Sequence, residues 1–85
     1  MVTPESIRDS IEAGLSCEHV EVRGDGAHFE AVVVSAAFSG LSRIKQHQLV
    51  YAALGDRMRA EIHALSMQTL TPGQWEERSG RSQGG

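Results

Sequence analysis

Four histidines, His19, His28, His47 and His63, and one cysteine, Cys17, are the side chains of this 85-residue chain best suited to chemistry. Neutral imidazole is the commonest metal ligand, and it titrates close to neutral pH. His28 opens a strand directly after a glycine turn, and His63 sits at the mouth of a later strand, so both are candidates for one edge of a small sheet. Two histidines are too few for a closed zinc site, which needs four ligands. They suffice for half of a site that a partner completes. His19, next to Glu18, reads as an exposed polar strand end. His47 lies among Ile44, Val50 and Leu54 on a helical stripe, where a packed, hydrogen-bonded core histidine is the simpler reading. Cys17 is open to two readings, a third ligand or reactive thiol, or an inert half-buried side chain. The second is favoured, because it follows a helix C-terminus, whose dipole disfavours a thiolate.

Catalytic constellations are missing. The one G-x-S-x-G match, Gly80 to Gly84, follows no expected strand and so makes no nucleophile elbow, no carboxylate pair is marked out, and Gly24-Asp25-Gly26 lacks the third glycine and following helix of a phosphate loop. The expectation is a protein that is not an enzyme. Arg43, Lys45, Arg57 and Arg59 cluster against Asp56 and Glu61. They form either a solvated face or a nucleic-acid patch, and the helix–Gly55–helix segment resembles a helix-turn-helix only as far as any two short helices do.

The elements that carry these residues follow from local signals. Thr3-Pro4-Glu5 is a helix start, with a capping hydroxyl, proline in the first turn and an early acid. Ile7, Ile11 and Leu15 give that helix an apolar face over 4–15, with Gly14 and Ser16 weakening its end. Val20 and Val22 alternate with Glu21 and Arg23 as a half-wet strand. Gly24-Asp25-Gly26 is a turn whose glycines tolerate positive φ. A second strand over 28–35 contains Ala31-Val32-Val33-Val34 and is expected at the centre of the sheet. Ser42 caps a second helix with an inner stripe of Ile44, His47, Val50/Tyr51 and Leu54, closed by Gly55. A short third helix over 56–61, a third strand over 62–70 and a last helix over 72–78 follow. The last helix is introduced by the capping pair Thr71 and Gln74 and anchored by Trp75. Residues 79–85, rich in glycine and serine, read as a flexible tail behind a single domain of residues 1–78.

Eleven acidic and eight basic residues leave a net charge of −3, the wrong sign for a protein that lives on phosphate backbones. One cysteine excludes an internal disulfide or a C-x-x-C metal or redox motif. No apolar run approaches a membrane span, and no basic N-terminus leads into an apolar stretch, so a cytoplasmic location is expected. The expected architecture is α+β, in the order α-β-β-α-α-β-α, with helices packed on a small three-stranded mixed sheet.

Several fragments, in this order and spacing, carry a resemblance: His28-Phe29, Val33-Val34-Ser35, Phe38-Ser39-Gly40, His47-Gln48-Leu49-Val50-Tyr51, Ile62-His63-Ala64-Leu65-Ser66 and Leu70-Thr71-Pro72-Gly73-Gln74-Trp75. Together they resemble the BolA family over about residues 5–78. The stretch from Gly24 to Phe29 looks most like its acid-stress, IbaG-like branch. The resemblance implies a fold related to the class II KH domain and a monothiol glutaredoxin as heterodimer partner. It further implies a [2Fe-2S] cluster shared with that glutaredoxin and with glutathione, and none held by the isolated chain, which would be a monomer or a weak homodimer. His63 matches the family's near-invariant ligand, and His28 matches the second ligand position in the loop between the first two strands. Imidazole in place of thiolate on a [2Fe-2S] iron raises its reduction potential. Some members are described as transcription regulators. By that alternative, Arg43, Lys45, Arg57 and Arg59 would meet DNA. Two departures count against nucleic acid: no G-x-x-G loop is present, and Gln46 stands where many relatives carry arginine before the helical histidine.

Overall fold

The computed structural model describes residues 2–60, 62 and 64–84. Helix α1 (Pro4–Gly14) opens on the expected cap: the Ser6 amide donates to Thr3 Oγ1 and the Thr3 amide donates to Ser6 Oγ, each at 3.1 Å. Its stripe buries Ile7 and Ile11 completely. Gly14 has a role beyond weakening the helix. A Cβ there would lie 2.8 Å from the Cα of Ala53, so α1 crosses its neighbouring helix almost backbone to backbone.

Strands β1 (His19–Gly24) and β2 (His28–Val34) form an antiparallel hairpin with registers running from His19 opposite Val34 to Gly24 opposite Phe29. Strand β3 (Ala64–Leu70) pairs in parallel with β2, from His28 opposite Ala64 to Val34 opposite Leu70. The order is β1-β2-β3, so β2 is the central strand as its apolar run predicts. A parallel pair needs a crossover, which is supplied by a 3-10 turn (Ala36–Phe38), helix α2 (Arg43–Leu54) and helix α3 (Arg57–Ala60). Phe29, Ala31 and Val33 alternate onto the sheet face that meets α1 and α2, and with Ile7, Ile11, Phe38, Val50, Leu54 and Ile62 they make the core. Ser35, fully buried at the end of β2, donates its hydroxyl to the Ser16 carbonyl at 2.6 Å and accepts from the Ala37 amide at 3.1 Å. It thereby ties the α1–β1 loop to the crossover.

Four expectations are corrected. In α2, Ile44 is 71% exposed and Tyr51 41% exposed, while Val50 and Leu54 are the buried pair. The run Leu49-Val50-Tyr51-Ala52-Ala53-Leu54 is apolar all round, so packing rather than periodicity decides which stripe faces inward. Gln46 helps to set that rotation, since its Nε2 donates to the Phe38 and Leu41 carbonyls and its Oε1 accepts from Thr69 Oγ1. Strand β3 begins at Ala64 rather than at Ile62, because the Ile62 amide is spent on the carbonyl of Arg57, the first residue of α3. In the hairpin turn only Gly26 uses a positive φ (102°); Gly24 is instead hemmed in by the Phe29 side chain and the His28 carbonyl. The last helix, α4 (Pro72–Gly84), starts with the expected Thr71–Gln74 exchange and continues beyond Arg78, there being no proline between Arg78 and Gly84 to stop it.

Candidate functional site

His28 opens the central strand and is exposed, although the next residue, Phe29, is buried. The turn before it is held by Asp25, whose Oδ1 accepts from the Ala27 amide at 3.0 Å and the His28 amide at 2.9 Å. The Asp25 amide in turn donates to the His28 carbonyl at 3.2 Å. These two amides hold the Asp25 carboxyl below the usual carboxylate range, chiefly through the His28 amide. The His28 backbone is thus fixed while its side chain stays exposed.

Directly across the parallel ladder from His28 is Ala64, the residue that follows His63 in sequence. His63 and Glu61 lie outside the described residues. Among the described residues no group of three or more histidine, cysteine or acidic side chains could hold a metal ion by itself.

Cys17 belongs elsewhere. The adjacent Glu18 amide donates to the Val34 carbonyl, which puts it at the far end of the hairpin from His28, roughly 20 Å away along the strand. Its thiol donates to the Leu15 carbonyl at 3.3 Å, and burial followed by the charge of Glu12 pushes its pKa up. It is half-buried and matches the inert reading.

His19 is more than a polar strand end. Its ring stacks on Trp75 of α4 with centroids 4.7 Å apart, and its Nε2 lies 3.0 Å from Glu21 Oε2. That hydrogen bond is the main reason the Glu21 carboxyl sits below its ordinary value. The contact seats α4 on the second face of the sheet, where Arg78 Nη1 also donates to Gln68 Oε1 at 2.9 Å.

The four basic residues do not form one stripe. Arg43 and Lys45 are both exposed on α2, but two residues apart they point away from each other. Arg57 Nη1 donates to the Ser6 carbonyl at 2.8 Å and to Ser10 Oγ at 3.0 Å, pinning α3 to α1. The side chain of Arg59 lies outside the described residues. His47 departs from the expected hydrogen-bonded core histidine: its Nε2 is buried without a partner. Arg43, His47 and Arg78 line one depression beside β3; the i, i+4 spacing of Arg43 and His47 is the one part of that meeting a sequence could show.

No described helix is long and apolar enough to cross a membrane. Residues 3–74 match the family model described as BolA-like protein. BolA-like protein 1 of Homo sapiens is 40% identical over 84 residues, covering 87% of this chain and 61% of the human protein. The chain thus spans about three-fifths of that relative's length. Acid stress protein IbaG of Escherichia coli (strain K12) is 39% identical over 70 residues, covering 81% of this chain and 83% of the relative. A protein of Haemophilus influenzae named DNA-binding transcriptional regulator BolA is 34% identical over 61 residues, with coverage of 72% and 59%. Among solved structures, a BolA protein homologue from Coxiella burnetii superposes with a TM-score of 0.82 at 49% identity, over 89% of this chain and 99% of that one.

Proposed function

Because the chain belongs to the BolA family of BolA-like proteins, we propose that it is a non-enzymatic interaction protein. In this reading it pairs with a monothiol glutaredoxin and co-ligates a glutathione-bound [2Fe-2S] cluster through His63 and His28, in iron–sulfur trafficking or iron and redox regulation under stress. One observation carries the proposal: exposed His28 stands across the ladder from Ala64, the sequence neighbour of His63. The cluster is cargo. Glutaredoxin and glutathione supply its thiolates, and this chain contributes neutral imidazole, which makes the shared site sensitive to acid because a ligand must be deprotonated to bind.

The test mixes the chain with a cluster-loaded, glutathione-bound glutaredoxin and follows visible circular dichroism. A changed spectrum with a one-to-one complex is expected, and it should be lost in His63→Ala and altered in His28→Ala. A His63→Ala protein that gives the wild-type spectrum removes the assignment.

A second reading, DNA-binding regulation, is favoured by the exposure of Arg43 and Lys45 and by the printed name of the Haemophilus relative. Phosphate contacts should make binding fall by roughly 0.9 log units per contact per decade of salt. Absence of binding near physiological salt refutes it.

A further inference from the structure

Beside β3, between α2 and α4, lies an open depression of about 390 Å³ lined by Arg43, His47, Gln68, Thr69 and Arg78 among others. Among the described residues no carboxylate lines it. Among the described residues, His47 Nε2 is the buried side-chain nitrogen or oxygen that has no hydrogen-bond partner. A buried polar atom without a partner is unfavourable, and native structures rarely leave one so unless something from outside supplies the bond. Arg43 stands one helical turn before His47 on the same face of α2. Arg78 closes the other side, although one of its nitrogens is held by Gln68 Oε1 and it also borders Glu21 in the neighbouring depression. Arg43 is therefore the main source of charge.

We propose that Arg43, His47 and Arg78 form a binding site for a single small oxyanion, a phosphate group or a carboxylate. The guanidinium of Arg43 supplies a planar pair of donors, and His47, in the tautomer that carries its hydrogen on Nε2, supplies a third. A metal ion does not fit, because two cations flank one nitrogen ligand. A nucleic-acid backbone fits less well, because Lys45 faces away from the depression. The site lies at residues 68–70 of β3, roughly 13–20 Å along the strand from Ala64. It stands apart from the His28 edge and does not depend on the cluster reading.

The experiment titrates the isotope-labelled full chain with inorganic phosphate, and in a parallel arm with acetate, at constant ionic strength, reading the NMR shifts of the His47 imidazole and of the amides around 43–47 and 68–70. Saturable shifts confined to these residues are expected. Response to phosphate alone identifies a phosphate-group ligand, and an equal response to acetate a carboxylate. Arg43→Gln, an exposed change that leaves the core intact, should weaken binding by about tenfold or more, while Lys45→Gln should leave it unchanged. The site is refuted by the absence of saturable shifts with either anion up to roughly 10 mM. It is equally refuted if Lys45→Gln weakens binding as much as Arg43→Gln, which would mean diffuse surface attraction.

Discussion

Replacing Gly14 with alanine sets two effects of known size against each other. In a helix, alanine is favoured over glycine by about 0.5–1 kcal/mol, because glycine loses more backbone freedom on folding. At this position, however, the new Cβ would lie 2.8 Å from the Cα and 2.9 Å from the Cβ of Ala53. Backbone cannot swing aside as a flexible side chain can, so α1 and α2 must separate. Forcing extra volume into a packed contact costs about 1–3 kcal/mol. The steric cost wins. Gly14→Ala should destabilise by about 1 kcal/mol, a fall in Tm of roughly 4–8 °C for a domain this small. Thermal unfolding followed by far-ultraviolet circular dichroism measures it. Ala53→Gly removes one of the two close contacts, so the double variant should lose less stability than the two single losses added together. A Tm that rises in Gly14→Ala would show that propensity outweighs contact and that the helices do not cross so closely.

Other consequences are as direct. Ser35→Ala deletes two hydrogen bonds from a fully buried hydroxyl and should cost about 1–3 kcal/mol by urea unfolding, whereas a loss below about 0.5 kcal/mol would mean that water replaces both. Arg57→Ala should cost about 2 kcal/mol, because its guanidinium bonds α1; an unchanged midpoint contradicts that pinning, and any loss of DNA binding in this variant has to be measured on folded protein. His19→Ala and Trp75→Ala, combined in a double-mutant cycle, should show a coupling of about 0.5–1.5 kcal/mol from the ring stack, and zero coupling denies it. Asp25→Ala should be less stable than the wild type at neutral pH. The folded carboxyl is held below its unfolded value near about 3.9, so its contribution is present above that pH and is lost as pH falls through the folded value. The urea midpoints of the two proteins should therefore draw together as pH falls below about 4, and a gap that does not narrow there means that the carboxylate charge is not the cause.

Much of the fold is legible along the chain because its signals are local. Thr3 with Ser6, Ser42 with Lys45 and Thr71 with Gln74 are caps whose partners lie three residues away, so the helix starts could be placed from sequence. The alternation of Val20 and Val22 with Glu21 and Arg23 marked a strand with one wet face, and the run from Ala31 to Val34 marked the central one. The ends were less legible. The Ile62 amide turns back to α3, and α4 runs on through glycine and serine, because each end is decided by a competition among bonds rather than by one residue.

The candidate site divides in the same way. The exposed place of His28 at the strand mouth could be read from the sequence, because the turn and the strand that expose it adjoin it. Its placement opposite Ala64 required the parallel register of β2 and β3, which depends on a crossover of some thirty residues and on burial of one sheet face. Packing alone made His47 Nε2 an orphan, brought Arg43 and Arg78 to the same depression, drew Arg57 back to Ser6 and laid His19 on Trp75. Sequence determined which residues were polar, charged or able to ligate, and which local element carried each. Tertiary structure decided which of them meet, because such meetings are set by the rotation of whole helices and strands, and that rotation minimises exposed apolar surface over the entire chain rather than over any window of it.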